Sequence, residues 1–550
     1  MHPMCSLPRM VRRLLPLLFA ALSLHAQSRY VSDAAGAPVR WEGWGKRALE
    51  RARKENRPIF LSIGYASSFE CFRMQREAFL DGEVAQTLNT YFIPVLLDRL
   101  EYPEIAKALE AFAGLDGSPV LMILTPKLEP FAVSGPLKTG ELQRMLVINA
   151  NVWASGVVRA SGAPPVPQGA PEARATPDVL GGGFHHAPGH FEKLLSDQAL
   201  LAMSYLDAWQ TTRDPETERI VRSTLDAALR DLRPPQSAGF QASQDAHSLV
   251  PAQGPEFWNG AFYVWEKDEV ERLLGHDAAS KVFRAFGMKD GVRNVLTVED
   301  PVLVKDLAPQ LAKMFQVRQT RPQPFREWNL ISGSNGLMIS ALSRAGAVLG
   351  EPKYVDAATA AAQTVTKALW NAPKKTLLHS AGVDANADDY SLFIQGLLDL
   401  FEAGYDPKWL ELARALQQRQ DDLFWNESAR RFVTGTSVPQ PLRPYFVESD
   451  DETPGANAIA ARNLLRMTML TAHDVTTKVV VVVGDRRPPT LDALRAIHER
   501  KDPQRFVVFV PSKGTVRDRI VKALPFTAEL PVDPEQPVVY ECSGGTCRRR

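Results

Sequence analysis

The segment SIGYASSFEC, residues 62–71, joins a short apolar run to a stretch of helix-forming residues. The run Ile59–Ile63 predicts a strand, and a helix is predicted from about Phe69. Dithiol oxidoreductases place Cys-x-x-Cys at the start of a helix that follows a strand, because the helix N-terminus lowers the pKa of the first thiol. Here Cys71 holds the second cysteine position and Ser68 holds the first. The segment has the context of a redox motif but only one cysteine.

Helix and strand signals alternate throughout residues 44–150. Helices are predicted from Trp44 to Asn56, from Phe69, from Pro103 to Phe112 and from Thr139, and strands from Ile59 to Ile63, Phe92 to Leu97 and Val120 to Leu124. Short apolar strands that alternate with helices require a sheet covered on both faces. We therefore expect an α/β domain over residues 38–150.

Ser68 changes the chemistry that this motif can perform. A hydroxyl cannot replace a thiolate in disulfide exchange, because the attacking atom must be a sulfur anion. One interpretation is structural: Ser67 and Glu70 form a Ser-x-x-Glu capping box, and Cys71 packs as a small apolar residue. The other interpretation is that Cys71 retains monothiol chemistry with a partner.

The first 27 residues have the three parts of a secretory signal peptide. Arg9, Arg12 and Arg13 form a basic head, and the apolar run Leu14–Leu24 is too short to span a bilayer as a helix. Ala26 then offers a small residue for cleavage. We expect an exported chain, periplasmic or secreted, with no stable membrane anchor after cleavage. An uncleaved anchor is the alternative.

A linker and a helical region follow the α/β domain. Residues 151–183 are rich in proline, glycine and alanine, which predicts a semi-rigid linker. Residues 184–474 show apolar stripes at helical spacing. One stripe consists of Leu195, Ala199, Ala202 and Leu206, and another of Met338, Leu342, Ala345 and Leu349. These stripes predict stacked helical hairpins.

The C-terminal region, residues 475–550, changes character again. The apolar runs Val479–Val483, Phe506–Val510 and Val538–Tyr540 predict buried strands, with a helix from Leu491 between the first two. We expect a small α/β cap that carries a Cys-x4-Cys tail.

Charge and motif content exclude several classes of partner. Lysine plus arginine number 64 and aspartate plus glutamate 63, so no net charge favours nucleic acid or an anionic membrane. Neither HExxH nor a paired Cys-x-x-Cys spacing predicts a metal site, and the glycine-rich segment 181–183 lacks the strand context of a phosphate loop. We therefore expect no metal and no bound cofactor.

Residues 38–135 resemble the thioredoxin-like domain of the spermatogenesis-associated thioredoxin-domain proteins and their bacterial relatives. In that family a Ser-Ile-Gly-Tyr stretch leads to Cys-His-Trp-Cys-His-x-Met. The resemblance puts Ser68 in place of the first cysteine and Cys71 in place of the second, with Met74 kept. It also implies that Pro119 is the cis-proline beside the active site.

Short motifs elsewhere follow the order in which this family has them. They are Gly181–His185, His190–Leu194, Ser243–Ala246, Phe262–Trp265, Asn335–Met338, Asp388–Tyr390, Pro454–Asn457 and Tyr540–Cys547. The resemblance implies a second domain that is a six-hairpin (α/α) toroid, a fold shared with glycosidases and N-acylglucosamine epimerases. Proline-rich sequence replaces the helices expected before Gly181, and the last hairpin is missing after Ala472. We therefore expect an incomplete toroid.

Six polar residues at these motif positions are candidates for a central cleft. They are His185, His190, Glu192, Asp245, Asp388 and Asp389. Paired carboxylates with a histidine are what sugar hydrolysis or epimerisation requires, because one group gives a proton and the other takes one. The alternative is that these residues cap helices and hold loops at the centre of the toroid.

Three cysteines remain after the expected signal cleavage: Cys71, Cys542 and Cys547. The spacing Cys-Ser-Gly-Gly-Thr-Cys lets the tail turn back on itself, and family members that keep both motif cysteines have similar tails. We expect a disulfide between Cys542 and Cys547. A bridge from Cys71 to the tail is the alternative.

Two functions remain open from the sequence. The first is a thioredoxin-like protein with a degenerate redox site, in a monothiol or non-catalytic binding role toward client protein thiols. The second is a toroid that binds or processes a carbohydrate ligand and merely carries the thioredoxin-like domain. Ser68 argues against full redox catalysis, and the shortened toroid argues against glycan catalysis. We favour the first.

Overall fold

The computed structural model describes residues 28–113, 115, 118–156, 175–250, 256–429, 431–433, 435, 455–471, 478–483, 505–510, 538–543 and 546–549. The predicted signal peptide and most of the predicted linker lie outside these ranges. Among the described residues, none of the helices is both long and apolar enough to cross a membrane.

Residues 28–156 form a thioredoxin-like α/β domain around a five-stranded sheet. Its elements are α1 Arg29–Ser32, β1 Glu42–Gly43, α2 Lys46–Glu55, β2 Ile59–Gly64, α3 Phe69–Arg76, α4 Gly82–Tyr91, β3 Ile93–Asp98, α5 Pro103–Ala113, β4 Val120–Leu124, β5 Pro130–Ser134 and α6 Thr139–Ala154. The strand order is β1-β3-β2-β4-β5, with β2 parallel to β3 and antiparallel to β4. The three central strands are the predicted ones. The edge strands β1 and β5 are additional: β1 has only two residues, and β5 is only partly buried.

Helices cover both faces of this sheet. Successive residues of β2 point to opposite faces. Ile59, Leu61 and Ile63 pack with side chains of α2 and α5, whereas Phe60 packs with side chains of α4 and α6. All six residues of β2 are buried, so neither face is left to solvent. This confirms the predicted two-sided cover.

The predicted linker, residues 151–183, is shorter at both ends than expected. Helix α6 continues to Ala154, and the last residues before 183 are fixed in the helical domain. Asp178 accepts hydrogen bonds of 2.7 Å from both Lys193 Nζ and Arg318 Nη1. Burial alone would raise the pKa of Asp178, but the two cations hold it well below its usual range. This buried ion cluster anchors the end of the linker.

The helical domain contains eleven described α-helices and several short strand pairs. Its elements are β6 Thr176–Pro177, β7 Phe184–His185, β8 Lys193–Leu194, α7 Leu195–Thr212, α8 Pro215–Ala227, a π-helix at Ala228–Leu232, β9 Ser243–Gln244, β10 His247–Val250, β11 Glu256–Asn259, α9 Lys267–Leu274, α10 His276–Ala285, α11 Pro301–Lys305, α12 Ala308–Gln319, β12 Arg326–Glu327, α13 Ser332–Leu349, α14 Pro352–Leu369, β13 Trp370–Asn371, β14 Thr376–Ser380, β15 Val383–Asp384, α15 Ala387–Gly404, α16 Pro407–Phe424, β16 Trp425–Asn426, β17 Arg431–Phe432 and α17 Ala456–Thr471.

The long helices form an incomplete (α/α) toroid. Three hairpins, α7/α8, α13/α14 and α15/α16, each join two helices through a short turn, and α17 packs against α15. Helices α13 and α15 are buried on nearly all sides and form the inner layer with α7 and α17. Only residues 472–477 separate α17 from the next strand. In the described residues the toroid is an arc of three hairpins and one further helix, as predicted.

A small sheet closes the described structure. Its strands are β18 Lys478–Val483, β19 Arg505–Val510, β20 Val538–Ser543 and β21 Thr546–Arg549, in the order β19-β18-β20-β21. The first three confirm the predicted strands of the cap, and β21 adds a fourth. The helix predicted from Leu491 lies outside the described residues.

Candidate functional site at the domain junction

The loop between β2 and α3 carries the motif residues. Ser68 is the N-cap of α3, but its side chain makes no capping hydrogen bond in the described structure. Ser67 Oγ lies 2.9 Å from Ser243 Oγ of the helical domain, and Glu70 forms an ion pair with Arg73. The predicted Ser67–Glu70 capping box is therefore wrong, because both side chains have other partners.

Cys71 is packed inside the thioredoxin-like domain, with 1% of its surface exposed. Its Sγ lies 3.3 Å from Ser118 Oγ, and the Ser118–Pro119 peptide bond is cis, as the resemblance implies. A Cβ on Gly64 would lie 2.5 Å from this sulfur, so only glycine fits there. Burial raises the pKa of the Cys71 thiol, which lowers the thiolate fraction needed for nucleophilic attack.

Tyr30 of α1 covers the sulfur. Its buried ring packs in a cluster with Cys71 and Leu96, and its hydroxyl oxygen lies 2.9 Å from Ser62 Oγ. Ser68 is also 1% exposed. Neither Ser68 nor Cys71 therefore faces solvent.

Glu192 and His190 lie beside the motif loop. The buried Glu192 accepts a hydrogen bond of 2.9 Å from the hydroxyl of Tyr65. His190 is half-exposed, and its hydrogen bond to Glu192 raises its pKa. His185 lies behind them with Nδ1 3.0 Å from the carbonyl oxygen of Phe191, and burial lowers the pKa of His185 to about 4. This imidazole is neutral at physiological pH.

Asp245 lies beneath α1 and pairs with Arg29. Arg29 Nη2 donates a hydrogen bond of 2.6 Å to Asp245 Oδ1, and Arg29 Nε lies 3.6 Å from Glu327 Oε2. Burial raises the pKa of Asp245 to about 7 and that of Glu327 to about 8. No sequence motif points to Arg29 or Glu327, because no local pattern connects Arg29 with Asp245, which lies 216 positions further along the chain.

Asp389 is fixed by three partners at the start of α15. Its carboxylate accepts hydrogen bonds from the backbone N–H groups of Asn386 and Gly333 and lies 2.8 Å from His379 Nδ1. His379 Nε2 lies 2.7 Å from the carbonyl oxygen of Leu100 in the thioredoxin-like domain. Burial alone would lower the pKa of His379, but Asp389 raises it to about 9. Asp389 therefore caps helix α15, as the alternative to a catalytic role predicts.

The structure separates the six candidate residues into two groups. His185, His190, Glu192 and Asp245 lie near the motif loop, whereas Asp388 and Asp389 lie in the first turn of α15. Both groups are at the junction with the thioredoxin-like domain, which covers the ends where the inner helices begin. They do not line one open cleft. Among the described residues, no group of three or more His, Cys, Asp or Glu side chains could hold a metal ion.

Known proteins match this chain in two ways, over the thioredoxin-like domain and over most of the chain. The family model for DsbH-type thioredoxin-like domains, described as "Protein of unknown function, DUF255", matches residues 21–150. Human spermatogenesis-associated protein 20 is 26% identical and aligns with 95% of this chain and 90% of its own length. The rat protein of the same name is 27% identical, over 82% of this chain and 76% of its own length. The chain is similar to these proteins along most of its length.

Solved structures resemble separate parts of this chain. A DsbH oxidoreductase is 20% identical, with a TM-score of 0.18, over 24% of this chain and 96% of that one. A D-mannose isomerase is 11% identical, with a TM-score of 0.32, over 56% of this chain and 61% of that one. These scores are low, so the description of the fold rests on the sheet order and helix packing given above.

Proposed function

We propose that this chain is an exported binding protein whose thioredoxin-like domain has lost disulfide exchange. The observation that carries this proposal is the burial of Cys71 beneath Tyr30, together with Ser68 in the attacking position. The three-part N-terminal segment supports export. In this role the protein binds client proteins without exchanging their disulfides.

Contacts between the domains support a non-catalytic role. A thiol that exchanges disulfides needs access to a partner's sulfur. Here the surface around the motif is already covered by the chain itself, through the bond from Tyr65 to Glu192 and the contact of Ser67 with Ser243. The backbone N–H of Ala246 also donates to the carbonyl oxygen of Ser67. The motif loop serves as a docking surface for the helical domain.

Thiol labelling with peptide mapping tests this proposal, with insulin reduction as a second assay. We expect a small thiol reagent to modify Cys71 slowly in the native protein and rapidly after unfolding. Insulin reduction should stay far below that of a dithiol thioredoxin. Ser68→Cys should add little activity, because position 68 is as buried as position 71. Rapid native labelling of Cys71, or turnover comparable to a dithiol enzyme, would overturn the proposal.

Carbohydrate processing is a second candidate, supported by Asp245 and Glu327. Burial brings the pKa values of these carboxyl groups to about 7 and about 8, a range in which one group can take a proton and the other give one. The exposed rings of Phe325 and Trp328 lie next to Glu327 in the chain and offer faces for a sugar. Activity on an oligosaccharide that is lost in Glu327→Gln at an unchanged thermal midpoint would favour this candidate.

A further inference from the structure

A guanidinium group of the chain's own N-terminal segment occupies an acidic pocket of the helical domain. The pocket consists of Asp245, Glu327 and Phe325, and we call it the acidic pocket. Arg29 Nη2 donates to Asp245, and Arg29 Nε faces Glu327 Oε2 at 3.6 Å. The Arg29 Cζ atom lies 4.7 Å from the centre of the Phe325 ring. Two carboxyl groups of the helical domain and one ring face thus surround the cation, and Asp33 of its own segment lies 3.5 Å from Arg29 Nε.

The acidic pocket is built to receive a cation. Asp245 and Glu327 are each only 2% exposed, and a buried carboxylate is costly unless a cation accompanies it. Glu327 Oε2 accepts no hydrogen bond from any described residue, although it points at the guanidinium. A planar guanidinium can serve two carboxylates and lie on a ring face at the same time, which an ammonium does less well. These features select arginine-like ligands.

The segment that carries Arg29 is short. Helix α1 has four residues, Arg29–Ser32, and Arg29 is its link to the helical domain through Asp245. The neighbouring Tyr30 covers Cys71, so movement of α1 would uncover that sulfur. Short surface segments open locally more readily than the core strands of a domain. A competing guanidinium can therefore exchange with Arg29.

We propose that the acidic pocket is a binding site for an arginine side chain of a client protein, and that Arg29 is its intramolecular occupant. This inference rests on the binding role proposed above and names the chemistry of the ligand. Binding of the client's arginine releases α1 from the helical domain. The partner is thus recognised by its guanidinium, not by its thiols.

The test uses Cys71 labelling in the full chain at pH 8, with N-acetyl-arginine amide as the probe. In Arg29→Ala we expect Cys71 to react at least about tenfold faster than in the wild type, because α1 loses its attachment. In the wild type the probe should accelerate the reaction in a saturable way by displacing Arg29, whereas in Arg29→Ala, where α1 is already detached, it should change the rate little. N-acetyl-citrulline amide, which is similar in shape but uncharged, should have no effect, and adding Glu327→Gln should remove the effect of the probe.

Arg47→Ala is the matched control, since Arg47 is an arginine of the same domain whose side chain is 85% exposed. It should label like the wild type. If Arg29→Ala does not fold, the effect of the probe on the wild type still decides, because it does not depend on that variant. The absence of any effect of the probe on the wild type, or an equal effect of the citrulline compound, overturns the inference. Neither outcome touches the proposed loss of disulfide exchange, which depends on the labelling rate of the wild type without probe.

Discussion

Among single residues, Asp389 connects segments that lie far apart in the sequence. Its carboxylate joins the start of α15, the start of α13 at Gly333 and the His379 ring of β14. Through His379 it also reaches Leu100 of the thioredoxin-like domain. A buried ion pair with several hydrogen bonds is strongly weakened when one partner is neutralised, because the other charge stays buried.

Asp389→Asn should therefore lower the free energy of unfolding by about 3 kcal/mol, the cost of leaving a buried charge without its partner. Asp388→Asn is the matched control, because Asp388 lies one position earlier and outside the Asn386–Asp389 capping box. We expect a smaller loss for it. Urea denaturation of both variants measures the difference. Unchanged stability of Asp389→Asn together with a lost enzymatic activity would instead identify Asp389 as catalytic.

Among the elements, α13 and α15 make the closest helix contact of the toroid core described here. A Cβ on Gly336 of α13 would lie 2.5 Å from the carbonyl oxygen of Leu392, and a Cβ on Gly396 of α15 would meet the backbone of Gly336. The two helices therefore pack backbone against backbone. This contact gives a physical reason for the glycine of the Asn-Gly-Leu-Met motif at Asn335–Met338.

Gly336→Ala should destabilise the protein by about 2 kcal/mol, because the added methyl group forces the two helices apart. Gly404→Ala is the control: it lies at the end of α15 with open space around its Cα. It should stay within about 1 kcal/mol of the wild type. Thermal unfolding followed by circular dichroism checks both variants, and a tolerated Gly336→Ala would contradict the close packing.

The C-terminal hairpin bears on the predicted disulfide. Strands β20 and β21 are antiparallel, and their register places Cys542 directly opposite Cys547. Directly opposite residues in an antiparallel pair bring their Cβ atoms within about 4.5–5.5 Å, close to what a disulfide needs. Cys71, the rival partner, is buried under Tyr30.

We therefore expect a Cys542–Cys547 disulfide under oxidising conditions, with roughly 2 kcal/mol of stabilisation from so small a loop. Peptide mapping without reductant identifies the bridge, and Cys542→Ser with Cys547→Ser provides the reduced reference. A crosslink between the Cys71 peptide and the C-terminal peptide would refute this pairing and revive a redox mechanism.

At the scale of the whole molecule, several titratable groups at the junction between the two domains have raised pKa values. Burial raises the pKa of Asp98 to about 6, of Glu101 and Asp245 to about 7 and of Glu327 to about 8. His379 reaches about 9 because Asp389 outweighs the effect of burial. All five values lie above those of an unfolded chain, so the folded protein binds more protons.

Stability should consequently fall as the pH rises from about 6.5 to 9. A group whose pKa is higher in the folded than in the unfolded protein contributes its full stabilisation at pH values below its unfolded pKa. This contribution is lost as the pH rises through its folded pKa. For His379 that window runs from about 6.5 to about 9. His185 and His247 have lowered pKa values of about 4 and about 3. Their contribution to stability therefore rises with pH, but only below about pH 6.5.

Thermal midpoints measured between pH 6.5 and 9 check this expectation. Glu327→Gln removes one of the responsible groups and should flatten the upper part of the profile. A midpoint that rises or stays constant over this range would show that the junction carboxyl groups are ionised without cost in the folded protein.

The sequence predicted those parts of the fold that depend on local patterns. Apolar runs such as Val120–Leu124 are long and uniform enough to identify the central strands, and the stripe in α13 repeats at helical spacing. The site was predicted in part, since Asp389, Glu192 and Asp245 were named from motifs. Their positions relative to one another were not predicted, because each residue has its hydrogen-bond partner in a segment far away along the chain.

The sequence by itself determined an α/β domain with a single cysteine after its first buried strand, followed by a region of helical hairpins. Those facts lie in residue identity and periodicity, whereas the thioredoxin-like fold and the shortened toroid were implied by the resemblance of its motifs to a known family. Only the tertiary structure decided that Tyr30 buries Cys71, that Arg29 enters the acidic pocket and that the cleft residues face another domain. Burial and ion pairing arise between residues far apart in the chain, so they exist only once the chain has folded.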